Sequence, residues 1–129
     1  MGTGYLVELH QVAQYADDLP RATAFYSDIL GCELIASFDP PGLVFFRLGD
    51  TRLLLDPAAP SALIYLRVDD VRETTDTLRA EGVTIDTEPH VIFTDVEGTF
   101  GPVGWEEWMA FIKDSEGNLV GLASQNAPS

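Results

Sequence analysis

The sequence predicts an α+β fold built from two βαβββ halves. Three observations predict it: one order of extended runs and helix occurs twice, equivalent residues open and close the two helices, and equivalent turns close the two halves. Asp18-Leu19 and Asp70-Val71 begin the helices, and Gly31 and Gly82 end them. Asp50 and Gly117 occupy the equivalent hairpin turns.

The elements follow in order. Residues 6–16 read as a strand, after which Asp17-Asp18-Leu19-Pro20 supplies an N-cap and a first-turn proline whose missing N–H does no harm. Ala22, Phe25, Tyr26, Ile29 and Leu30 recur at helical spacing, and Gly31 closes the helix. Cys32 follows as a small packed residue with no neighbour that would activate a thiolate. Extended runs over 33–38, 43–48 and 51–56 are separated by Asp39-Pro40-Pro41-Gly42 and by Gly49-Asp50, both strong turn signals. This first module covers about 5–57.

The pattern restarts with a strand over 62–68. The next helix opens at Asp70-Val71-Arg72-Glu73, whose Asp and Glu are spaced as a capping box, and ends at Gly82. Strands near 83–92, 106–113 and 118–124 complete a second module of about 61–125, with Asp114-Ser115-Glu116-Gly117 as the last hairpin turn. The halves differ in the glycine-rich loop 94–105, which is either a lid on a binding cleft or a mobile surface connection.

Length and charge bound the function. A chain of 129 residues fits one domain with a real core, 1–129. No apolar run approaches a membrane span, the N-terminal residues lack the pattern of a signal peptide, and the single cysteine cannot form an internal disulfide, so a soluble protein of the reducing cytoplasm is expected. A net charge of −14, with seven Lys plus Arg, excludes the basic surface that nucleic-acid or anionic-membrane binding requires. Solubility accounts for the acidity more simply than an acidic partner site does.

Two stretches carry a family resemblance. Asp18-Leu19-Pro20-Arg21-Ala22-Thr23-Ala24-Phe25-Tyr26, followed by Ile29-Leu30-Gly31, is similar to the first-helix signature of the glyoxalase/bleomycin-resistance (vicinal oxygen chelate) superfamily. Ala110-Phe111-Ile112-Lys113-Asp114-Ser115-Glu116-Gly117-Asn118-Leu119-Val120 resembles the family's closing strand, turn and final strand. The resemblance implies modules whose mixed sheet curls around a cleft, and a homodimer. It also implies a small organic molecule as partner, bound either by a metal-dependent enzyme or by a metal-free sequestering protein, so the chemistry rests on the site.

In metal-dependent members one side chain from the first and one from the last strand of each half holds a divalent ion, on which two substrate oxygens chelate. Counting from Phe25-Tyr26 puts the first position at Gln11, beside His10; the others fall at Leu63, Leu54 and Gly121. A lone amide does not retain a divalent ion, so no metal cofactor is expected at the usual site.

Strand alternation instead gives the cleft Gln11, Ala13 and Tyr15 from the first strand and Leu63, Tyr65 and Arg67 from its counterpart, with Glu107, Met109 and Phe111 sharing a face of the penultimate strand. Arg67 either anchors an anionic group or pairs with Asp69 or Glu107. Trp105, at the loop edge, offers a stacking platform, whereas Trp108 belongs under the second helix. His90 stands across from Glu107 if their strands pair, as an acid/base couple or as a structural cross-strand pair. Two functional readings follow. The first is a small-molecule-binding protein without the four-ligand metal site, with His90 and Glu107 available for acid/base work. The second is a metal-dependent lyase or isomerase whose relocated site includes His90 and Glu107.

Overall fold

A computed structural model describes residues 9–128. Its chain contacts divide between Ala62 and Leu63 into two compact units, each of which carries one four-stranded mixed sheet.

In the first unit, β1 (Gln11–Tyr15) leads through Asp18 into α1 (Leu19–Ala24). The Asp18 carboxylate accepts the N–H of Arg21 at 3.0 Å, and Pro20 sits in the first turn where no N–H is needed. The helix then widens into a π turn, Phe25–Ile29, whose closing bond runs from the Leu30 N–H to the Phe25 carbonyl at 3.0 Å. The expected single α-helix through Leu30 is therefore two kinds of helix in series. β2 (Glu33–Phe38), β3 (Leu43–Leu48) and β4 (Thr51–Asp56) follow, in the order β1-β4-β3-β2, with β1 parallel to β4 and the other pairs antiparallel. The first strand is expected from residue 6; residues 6–8 lie outside the described residues.

Alternation along β3 and β4 sends Val44, Phe46, Leu53 and Leu55 to the face that also buries Phe25 and Tyr26. Tyr26 meets Phe46 with ring centroids 5.9 Å apart. Each fully buried large apolar side chain contributes about 1.5–3 kcal/mol.

The second unit repeats the plan. β5 (Ile64–Arg67) precedes α2 (Val71–Ala80), whose N-cap Asp70 accepts the N–H of Arg72 at 2.9 Å. Burial raises the Asp70 carboxyl, but the N–H groups of Arg72 and Glu73 and the Arg72 charge hold it below the ordinary carboxylate value. β6 (Ile85–Asp95), β7 (Trp105–Lys113) and β8 (Leu119–Asn126) complete a sheet of order β5-β8-β7-β6. Val71, Leu78, Ala110, Ile112, Val120 and Leu122 form the core between α2 and one face of this sheet. Trp108 lies on that side too, with the Arg72 guanidinium carbon 4.2 Å from its ring centroid, as its expected place under the helix requires.

No helix among the described residues is long and apolar enough to cross a membrane.

Candidate functional site

The second unit carries a cleft of about 750 Å³ on its sheet face opposite α2. Its shape follows from the inner strand β8, whose residues on that face are Gly121, Ala123 and Gln125. Two of these are small, so the centre of the sheet is low. The flanking strands carry tall side chains: Tyr65 and Arg67 on β5, and Glu107 and Met109 on β7. A low floor between tall walls is a groove.

One end of the groove is closed by rings. Tyr65 and Phe111 meet edge to face over Gly121 with centroids 5.8 Å apart. A Cβ on Gly121 would stand 2.6 Å from Cδ2 of Tyr65 and 3.1 Å from Cε2 of Phe111, so only glycine leaves the rings where they are.

The other end is built by the loop after β6. Asp95 is 4% exposed, and its carboxylate accepts the N–H of Thr99 at 2.8 Å, of Phe100 at 2.8 Å and of Gly101 at 3.0 Å. Its carbonyl accepts the N–H of Gly104 at 2.8 Å. Burial pushes the Asp95 carboxyl up, but the N–H donors of Phe100, Thr99, Gly101 and Gly98 outweigh it and hold the group below the ordinary carboxylate value. One side chain therefore folds the loop, so the loop is an ordered wall. Phe100, still 72% exposed, packs edge to face on Phe93 at 5.7 Å, and both rings line the cleft with Pro102 and Trp105. Gly101 passes so near Gln125 that a Cβ there would collide with its amide oxygen.

The structure gathers five of the expected site residues around this cleft: Tyr65, Arg67, Trp105, Glu107 and Met109. Phe111 stands behind them as the support for Tyr65, and Leu63, 48% exposed, lies outside the lining. Gln11 and Tyr15 belong to the first unit. There Gln11 gives its amide oxygen to the Arg52 guanidinium at 2.9 Å, and the Tyr15 N–H donates to Ser61 Oγ at 3.2 Å.

The expected placement of His90 across from Glu107 is corrected by the register. His90 pairs with Met109, Glu107 pairs with Phe93, and a bulge between Val91 and Phe93 separates the two rungs. His90 is exposed, lies outside the cleft lining, and its Nδ1 is 2.9 Å from the carbonyl oxygen of Glu88. Arg67 forms no ion pair with Asp69 or Glu107.

Residues 8–122 match the Glyoxalase/Bleomycin resistance protein/Dioxygenase superfamily. The chain belongs to this superfamily. No curated protein matches it. Among solved structures it is similar to the lactoylglutathione lyase of Agrobacterium tumefaciens, at 27% identity over 91% of this chain and 92% of that one, with a TM-score of 0.65. It is also similar to TnmS3, an antibiotic binding protein from Streptomyces, at 24% identity over 96% and 98% of the two chains, with a TM-score of 0.69. A third likeness is to a glyoxalase/bleomycin resistance protein/dioxygenase from Alicyclobacillus acidocaldarius, at 18% identity over 92% and 91%, with a TM-score of 0.66. The last two show the fold alone.

The side chains of this superfamily member do not fit the divalent ion that its metal-dependent relatives hold. Gln11 shares a face with Leu54, and Leu63 shares one with Gly121, as the registers require, but three of these four residues have no donor atom in their side chains. The remaining donor, the Gln11 amide oxygen, faces the Arg52 cation, whose Nη2 is also 3.0 Å from His10 Nε2. A fixed positive charge there opposes a metal ion. Among the described residues no group of three His, Cys, Asp or Glu side chains converges for one, at His90 and Glu107 or elsewhere.

Sequence reasoning misses Phe93, Phe100, Pro102 and Gln125. Asp95 followed by glycines at 98 and 101 is a readable signal for the loop, since a short acidic side chain with permissive residues after it captures successive N–H groups.

Proposed function

We propose that this superfamily member binds a small organic molecule in the cleft of its second module, and that it does so without a resident divalent ion. The observation that carries the proposal is the groove itself: a floor of small residues on β8, aromatic walls, and a loop folded by Asp95 into the position of an end wall. A concave site that combines apolar and aromatic walls with placed polar groups is a usual form of an organic-ligand site. TnmS3, which has the same fold, is an antibiotic binding protein, so the fold is compatible with this use.

Glu107 enters the proposal as a hydrogen-bond acceptor in the wall. An acid/base role shared with His90 gains no support from the register, which puts the two residues on different rungs. The single cysteine keeps the cytoplasm as the proposed location. Dimerisation is an expectation from the resemblance, which light scattering showing a monomer at high concentration would overturn.

The test is a thermal-shift screen of small aromatic molecules in buffer containing a chelator, run on the wild-type chain and on Ala123→Phe. The bulky ring fills the floor of the groove from a half-buried position outside the core. Ligands that stabilise the wild type and not the variant support the proposal. Ligands that stabilise both alike, or only after metal is restored, contradict it.

A further inference from the structure

The charged groups of the cleft narrow the class of ligand. Four of the six arginines have a charged or aromatic partner: Arg47 pairs with Glu33, Arg52 lies over Phe45, Arg72 pairs with Asp70 and Trp108, and Arg79 with Asp76 and Glu88. Arg67 is different. It lines the cleft, and no hydrogen bond or ion pair engages it among the described residues, in a chain with 21 Asp plus Glu. Glu107 lines the same cleft and is likewise unengaged.

The sheet explains why the two do not neutralise each other. Arg67 pairs with Ala123, and Ala123 pairs with Met109, whereas Glu107 stands opposite Gln125, one side-chain step further along. Arg67 and Glu107 are thus two strand spacings apart across the floor and two residues apart along it, a diagonal of roughly 12 Å between their backbones. Ala123 between them is too short to reach either. Asp69 also lines the cleft and lies nearer to Arg67 in sequence, yet it forms no ion pair with it. The rings of Tyr65, Phe93, Phe100 and Trp105 line the same cleft, around the two charged residues, and Ala123, Met109 and Gln125 lie between them.

Resting on the binding role proposed above, we infer that the cleft takes a flat aromatic acid of about two fused rings, with its carboxylate on Arg67 and a hydroxyl or amine donor on Glu107. Arg presents several N–H donors in a planar fork that matches a carboxylate, and Glu107 accepts from the opposite end. The rings cover the apolar walls. The length fits because a two-ring core with polar groups at its opposite ends, and one hydrogen bond at each end, is of the order of the roughly 12 Å between the two residues' backbones.

The experiment reads Trp105, which lines the cleft. In the full chain labelled with ¹⁵N, the Trp105 indole N–H is titrated with 6-hydroxy-2-naphthoic acid, its neutral carboxamide, and 2-naphthoic acid. The hydroxy acid is expected to bind about tenfold or more tightly than either comparison molecule, as charge-assisted hydrogen bonds imply. Arg67→Met erases the preference for acid over amide, and Glu107→Met erases the preference for hydroxyl over none. The inference is overturned if acid and amide bind alike, if the preference survives in Arg67→Met, or if none of the three molecules moves the Trp105 resonance. Equal binding of acid and amide that is lost in Ala123→Phe leaves the proposed binding role standing while this inference falls. Failure of all three probes removes the inference, and the binding role is then decided by the screen described above.

Discussion

The carboxylate of Asp95 accepts the backbone N–H of Phe100 at 2.8 Å, so the position of an exposed aromatic ring in the cleft wall is set by a buried acid on the preceding strand. Asp95 is held below the ordinary carboxylate value. Its contribution is therefore complete above the unfolded pKa of a carboxylate, about 4, and is lost as the pH falls through the lower folded value. Asp95→Asn replaces one acceptor by a donor facing N–H groups. It is expected to weaken ligand binding by roughly tenfold. Trp105 fluorescence, followed from neutral to acid pH, should show a loop transition in the wild type below about pH 4 that the variant has already undergone at neutral pH.

Phe100→Ala is expected to separate stability from binding. Its ring is 72% exposed, so Phe100→Ala removes little buried surface and leaves Tm nearly unchanged. Ligand affinity falls, because the ring's apolar area becomes buried only when the cleft is filled. Thermal unfolding and a binding isotherm on the same sample check both halves of this expectation.

Gly121→Ala sets two effects against each other. An alanine reduces the entropy of the unfolded chain, worth about 0.4–1 kcal/mol, and improves a strand position. Its Cβ also strikes the Tyr65 ring, which is 52% exposed and free to turn aside. The ring's displacement relieves the clash but changes the cleft wall. The expected result is a Tm within a few degrees of wild type together with reduced ligand affinity, measured by thermal shift with and without ligand.

The fold was legible because its signals are local. The helix-opening Asp18 and Asp70 accept the N–H groups that capping chemistry predicts, and Gly31 and Gly82 carry φ values of 74° and 87° where the helices stop. Alternation likewise puts Tyr65, Arg67, Glu107 and Met109 on one sheet face. Legibility ends at β6. The bulge between Val91 and Phe93 adds a residue to the strand, so Phe93 and not Ile92 stands opposite Glu107, and no period-two count from the sequence gives that shift. Gln125 was missed for a simpler reason: β8 runs to Asn126, two residues past the expected end. The order of the loop is a local signal too, because the Asp95 carboxylate captures N–H groups only four to six residues ahead, whereas its packing of Phe100 on Phe93 is not written in that spacing.

Gln14 marks a cost inside the first unit. It is fully buried, its amide nitrogen is 3.5 Å from the Tyr26 hydroxyl, and its amide oxygen has no partner among the described residues. An unsatisfied buried acceptor costs about 1–3 kcal/mol. Gln14→Met keeps the volume and removes the polar atoms, so a gain of about 1 kcal/mol, roughly 4 °C in Tm for a chain of this size, is expected in thermal unfolding.

The central claim, an organic ligand held in the second module without a metal ion, is tested most directly by mapping a bound ligand on the ¹⁵N-labelled chain by NMR in the presence of a chelator. The account predicts shift changes concentrated at Phe93, Phe100, Trp105, Glu107, Ala123 and Gln125, unchanged by the chelator. Changes centred on the Gln11 and Arg52 region, or binding that disappears when the chelator is added, would contradict it.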